Sequence, residues 1–266
     1  MTETKTTQGL EALSEIFTEA KKEKRSAFLP YFPIGYPDYE SSLDAIQAMA
    51  EVGVDGFEIG VPFSDPLADG PTIQAATQIA LENGTTVKKC LEAVSTLRER
   101  GVSQPMMMMS YLNPLLRYGI EDFIRDAKTA GADGFIIPDL PPEEADHVLG
   151  LCADAEMALA LFLAPTSNTE RVKLVASKAS GFIYVVSLTG VTGARTELPA
   201  YLTDFIGTIR AETDVPLVMG FGISTPEHVR VMHSLVDGYI VGSALVKAGK
   251  DGVGSVRELA DRLRQA

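Results

Sequence analysis

The chain has little of what binds metals, crosses membranes or grips polyanions. Only three histidines occur in 266 residues, His147, His228 and His233. All fall in segments of helical periodicity and none has the spacing of a metal-binding pair, so a histidine metal centre is not indicated. Two cysteines, Cys90 and Cys152, form no CxxC pair and read as small buried or half-buried side chains, so neither a zinc site nor a disulfide framework is indicated. No run of roughly eighteen apolar residues is present, and residues 1–7 lack the apolar segment of a secretory signal. The expectation is a soluble, cytoplasmic protein. Positive charge is scarce too: 23 Lys and Arg stand against 36 Asp and Glu, a net charge of −13. Such a chain repels nucleic acid and anionic membranes, so an anionic ligand must be held by local backbone donors.

What is present is apolar and periodic. Hydrophobic residues make up 45% of the sequence, enough for residues 1–266 to bury one large core as a single domain. Short β-rich apolar runs lie at 27–31, 56–59, 105–110, 134–137, 158–163, 183–187, 216–219 and 238–241. Amphipathic stretches near 40–52, 73–83, 87–100, 120–130, 143–153, 169–178, 201–212, 226–234 and 255–265 fall between or after them. This alternation is the pattern of parallel βα units. Periodicity alone fits an open doubly wound sheet as well; the count of eight favours a closed (β/α)8 TIM barrel of the α/β class. An extra N-terminal helix at about 9–24 is placed to cap the barrel floor, and additional short helices are expected. Two helices end in a shared phrase, Val52-Gly53-Val54-Asp55 and Ala130-Gly131-Ala132-Asp133, in which Gly supplies a left-handed terminal residue just before a strand. Met106 to Met109 reads as filling for a strand buried on both faces.

Chemistry concentrates in the segment from Phe57 to Thr72, FEIGVPFSDPLADGPT. Glu58 lies in an apolar run, and Asp65 and Asp69 lie in the loop after it. A buried, ionised glutamate carries a desolvation cost unless it faces a cavity where it acts; the other reading is a strand end that has reached water. Glycine-bearing loops follow the last three strands: Leu188 to Arg195, Gly220-Phe221-Gly222-Ile223-Ser224, and Gly242-Ser243-Ala244. In a barrel these converge on one rim, where the last loops and a short extra helix often hold phosphate. Ser243 would open such a helix over 244–247 with its N–H groups free for an anion. A dinucleotide fingerprint is not met, because the run from Gly220 to Thr225 lacks its third glycine, and Gly249-Lys250 runs into Asp251 rather than completing a Walker loop.

The segment from Glu58 to Gln74, with PFSDPLADGPTIQ at its centre, resembles the tryptophan synthase alpha chain family, as do Gly190-Val191-Thr192-Gly193, Gly220-Phe221-Gly222-Ile223 and Gly242-Ser243-Ala244. The resemblance extends from about Phe28 to Val246. It implies cleavage of indole-3-glycerol phosphate to indole and glyceraldehyde 3-phosphate. It also implies an alpha2-beta2 complex with a beta chain that carries the pyridoxal phosphate, and no cofactor or metal on this chain. By the same resemblance Glu58 and Asp69 are the catalytic pair, and the hydroxyl of Tyr184 lies close to Glu58. Gly193, Gly222, Gly242 and Ser243 bind phosphate, while Tyr31 and Phe221 line the indole pocket. Residues 188–199 form a lid whose Thr192 meets Asp69 on closure, and Asp65 faces the beta chain. The sequence departs from the family at Pro33, where a small or hydroxyl residue is common, and at Ala75-Ala76, where some relatives have a polar side chain. A freestanding indole-releasing lyase and a non-catalytic barrel that activates a beta chain are the alternatives. A metal-dependent phosphosugar barrel is disfavoured by the scattered histidines.

Overall fold

A strand covered on both faces needs no polar alternation, and Met106 to Met109 is buried at all four positions. In the computed structural model, which describes residues 7–186, 200–220 and 222–266, that run is one of eight parallel strands closing a barrel in chain order. They are β1 (Ala27–Pro33), β2 (Phe57–Gly60), β3 (Met106–Met109), β4 (Gly134–Ile136), β5 (Ala158–Leu163), β6 (Ile183–Val186), β7 (Leu217–Gly220) and β8 (Gly238–Val241). The circle closes where β8 pairs with β1, Leu29 opposite Ile240. The expected (β/α)8 barrel is the fold of the described residues.

Helix α1 (Leu10–Lys22) precedes the strands, and the others follow them as parallel connections require: α2 (Tyr39–Glu51), α3 (Pro71–Glu82), α4 (Val87–Glu99), α5 (Leu112–Tyr118), α6 (Ile120–Ala130), α7 (Asp146–Asp154), α8 (Thr169–Lys178), α9 (Ala200–Arg210), α10 (Pro226–Met232), α11 (Ser243–Gly249) and α12 (Val253–Arg264). Several begin where a side chain caps them, as Asp38 accepts from the Ser41 N–H and Asn168 from the Arg171 N–H. Helix α3 starts two residues before the expected 73, because Pro71 is preset for the first helical turn. Helix α5 has no counterpart among the amphipathic stretches; it is seven residues long, and Pro114 in its first turn disguises it as loop. Helix α7 starts at 146 rather than 143, since residues 142–144 form a turn. Gly131 closes α6 with φ of 98°, as the shared phrase before the strands demands.

That phrase also carries a clasp. Asp55 accepts the Phe28 N–H at the start of β1 and both arms of Arg25, at 2.6 and 2.7 Å. Asp133 likewise accepts the Met106 N–H at the start of β3 and Arg98 at 2.6 Å, and Asp237 accepts the Leu217 N–H at the start of β7 and Arg210. Ser180 plays the same backbone part between β5 and β6, accepting the Leu159 N–H at 3.0 Å. Each odd strand is thereby tied to the residue that leads into the next even strand. Asp133 holds one element more, the Gly9 N–H at 2.6 Å, which fixes α1 beneath the barrel. Leu13, Phe17 and Ala20 of α1 are buried there, with the Phe17 ring edge-on to Phe182. This closes the N-terminal end of the barrel and leaves the C-terminal end for chemistry.

Candidate active site

Strand β2, the loop after it and the end of β3 bring the two acidic groups together at the C-terminal mouth. Glu58 stands on β2 between Tyr31 of β1 and Met107 of β3. Its side chain is held in the barrel wall, and the residue is only 4% exposed. Oε2 is the one buried side-chain polar atom without a hydrogen-bond partner among the described residues. Burial, and then the charge of Asp69, push its pKa up to about 8. Asp69 lies half-buried in the loop after β2. There Tyr111, just beyond β3, donates its hydroxyl to Oδ2 at 3.1 Å and accepts the Ala68 N–H at 3.0 Å. Gln74 of α3 donates to the Asp69 carbonyl at 2.8 Å. Burial raises the Asp69 pKa and the Tyr111 hydroxyl holds it back, leaving it at about 6.

Two buried tyrosines share this site. Tyr184 on β6 stacks on Phe162 at 4.7 Å between ring centroids. Its hydroxyl lies over Gly220, where a Cβ would stand 2.0 Å from Oη. Tyr31 on β1 is arranged alike: its hydroxyl lies over Gly60, 2.4 Å from where a Cβ would be, and its ring edge meets Gly242. Glycine is needed at 60 and 220 for space rather than for backbone freedom. Burial and the charges of Glu58 and Asp69 hold both phenols well above the ordinary tyrosine range, so both are neutral donors.

Gly222 follows β7 and is exposed, and Gly242 and the exposed Ser243 open α11. All three stand on the same rim as Glu58, and no side chain caps the first N–H groups of α11. Asp65 is exposed, accepting the Ser64 hydroxyl at 2.6 Å, on the outward side of the loop that turns Asp69 inward. Thr192, Gly193 and Phe221, with the expected lid at 188–199, lie outside the described residues. Among those described, no three His, Cys, Asp or Glu side chains gather in a way that could hold a metal. The residue that sequence reasoning missed is Tyr111. Its signal was its position one residue past Ser110 at a strand end, where barrels place their working side chains.

A (β/α)8 barrel with two carboxylates of unlike pKa in its mouth defines an acid–base barrel enzyme. The sequence model of the tryptophan synthase alpha chain family matches residues 17–265. A tryptophan synthase alpha chain of Chloroflexus aggregans is 50% identical over 88% of both chains. Among solved structures, tryptophan synthase of Mycobacterium tuberculosis superposes with a TM-score of 0.89 at 38% identity, over 95% of this chain and 96% of that one. The subunit alpha of Legionella pneumophila does so at 0.86 and 31%, over 96% and 97%. The chain belongs to the tryptophan synthase alpha chain family.

Proposed function

We propose that this barrel cleaves indole-3-glycerol phosphate to indole and glyceraldehyde 3-phosphate by a retro-aldol reaction, as the alpha subunit of a tryptophan synthase in L-tryptophan biosynthesis. The observation that carries the reading is the buried Glu58 carboxyl, whose Oε2 has no partner among the described residues, facing the charge of Asp69. Near pH 7 the two groups differ in state: Glu58, with a pKa of about 8, is mostly a carboxylic acid, and Asp69, at about 6, is mostly a carboxylate. That is the division of labour the reaction needs.

Glu58 gives its proton to indole C3, producing the indolenine tautomer while Asp69 accepts the indole N–H and offsets the growing positive charge. The Glu58 carboxylate then takes the proton of the C3′ hydroxyl. As it does, the C3–C3′ bond breaks, its electron pair returns to the indole ring, and C3′ becomes the aldehyde carbon. Protons balance, and Glu58 ends as it began. The neutral Tyr184 hydroxyl steadies Glu58, and Tyr111 aims Asp69. Gly222, Gly242 and Ser243, with Gly193, hold the phosphate through backbone N–H groups, as suits an acidic chain. Tyr31 and Phe221 line the indole pocket. Thr192 meets Asp69 when the lid at 188–199 closes, excluding water.

The reaction uses carboxyl groups alone, and pyridoxal phosphate belongs to the beta chain. We place this chain in an alpha2-beta2 assembly, with Asp65 on the face toward that partner, in the cytoplasm. No described helix is long and apolar enough to cross a membrane. The test is indole release from indole-3-glycerol phosphate by the purified chain, with and without a beta chain, beside Glu58→Gln. Release that the beta chain accelerates and Glu58→Gln abolishes supports the reading. No release in either condition overturns it, and full activity of Glu58→Gln rejects the acid–base role.

A further inference from the structure

At the opposite end of the barrel, where α1 ends and β1 and β8 begin, a hollow of about 220 Å³ is lined by Phe17, Lys21, Lys24, Arg25, His233 and Asp237, among others. Its charges do not cancel. Arg25 is answered by Asp55 and Glu23, and Asp237 by Arg210. Lys21 and Lys24 have no carboxylate within ion-pair distance among the described residues. Two positive charges are therefore left over beside a cavity, in a chain whose net charge is −13.

The third donor comes from His233. Its Nδ1 accepts the Ser26 N–H at 3.0 Å, so the neutral ring carries its proton on Nε2. Burial, then the charges of Arg25 and Arg264, keep the ring below its ordinary pKa. The end of α1 is also pinned: the Arg25 N–H reaches the Ala20 carbonyl at 3.0 Å, and Lys24 is held at φ of 58°. A left-handed lysine is strained where glycine or asparagine would be easier. Cations at a helix C-terminus are favoured by the macrodipole, which accounts for lysines at the end of α1. It does not account for His233, which follows α10, closing the same hollow.

We propose that this floor hollow is a second, non-catalytic binding site for a small, multiply charged oxyanion of the phosphate class. Lys21 and Lys24 supply the charge and His233 Nε2–H a directed hydrogen bond. Its occupant is either free phosphate or the phosphoryl group of a small monoester.

The test follows the His233 ring proton resonance, assigned by its loss in His233→Asn, while inorganic phosphate is added to the full chain at constant ionic strength set with potassium chloride. A parallel arm uses methyl phosphate. His147, exposed at the surface beside Glu121, is the internal control. The expected result is a saturable shift of His233 with a millimolar midpoint, no shift of His147, and at least a tenfold weakening in the double variant Lys21→Ala with Lys24→Ala. Both lysines are exposed, so the variant keeps the fold and its basal indole release. Saturation by inorganic phosphate alone assigns the free ion, and saturation by both probes assigns a phosphoryl group. No shift beyond that of chloride, or a midpoint unchanged in the double variant, overturns the proposal. The latter also separates this site from phosphate bound at the catalytic rim.

Discussion

Glu58 and Asp69 carry the same functional group and differ only in surroundings: one is sealed in a strand with a lone oxygen, the other is half-buried under a tyrosine hydroxyl. Glu58 is kept at a cost in stability. Its folded-state pKa of about 8 lies above the ordinary 4.5, so the folded chain holds the proton more tightly than the unfolded chain. Stability is fully present below about pH 4.5 and is lost as pH rises through about 8. Glu58→Gln cannot ionise. It is therefore expected to be more stable than the parent by about 2–4 kcal/mol at pH 8.5, with the difference shrinking toward pH 5, as read from urea denaturation at the two pH values. On the proposed mechanism Asp69→Asn removes the acceptor for the indole N–H and is expected to lower kcat for indole release at least about a hundredfold with little change in fold. At Gly60 the space argument is direct. Gly60→Ala sets a methyl group 2.4 Å from the Tyr31 hydroxyl, so activity falls. Adding Tyr31→Leu costs less in the Gly60→Ala background than alone, a coupling that a double-mutant cycle of kcat/KM measures.

The clasps at the floor are repeats of one device, an acidic residue before an even strand that holds an odd strand and an arginine. They are not equally buried. The Asp133 side chain is 1% exposed, Asp55 10% and Asp237 29%. Removing a buried partner strands the other charge and an N–H, so the loss of stability should rank Asp133→Ala, then Asp55→Ala, then Asp237→Ala. Asp133→Ala, which also frees the N-terminus of α1, should cost about 3–5 kcal/mol in urea denaturation. A reversed order would show that the clasps do not act through burial. The phrase was visible in the sequence at Asp55 and Asp133, where it read only as a helix stop before a strand. The hydrogen bonds that make it a clasp join residues 27 apart in the chain, and no local pattern reports them.

The whole molecule is polarised, with ties and a plug at the N-terminal end and chemistry at the C-terminal end. The strands were legible because a wall buried on both faces leaves continuous apolar runs between glycine and aspartate loops. Glu58 was legible because a carboxylate in such a run is out of place. Tyr111 was not, since an aromatic at a strand end looks like core filling until Asp69 folds over it. Helix α5 was hidden by its own proline. Charge sets another property of the whole chain. With a net charge of −13 and a proposed phosphate site built from backbone donors, added salt screens repulsion instead of weakening an ion pair. KM for indole-3-glycerol phosphate is expected to stay level or fall between low and moderate potassium chloride; a several-fold rise would point to a cationic phosphate site. The central claim is that Glu58 is an acid, and Asp69 a carboxylate, in the same mouth at neutral pH. Difference infrared spectroscopy of the free chain across pH, with Glu58→Gln as the blank, reads it directly. A protonated Glu58 carbonyl band should persist at pH 7 and vanish with a midpoint near 8; a band already lost by pH 6, with a midpoint near 4.5, would contradict it.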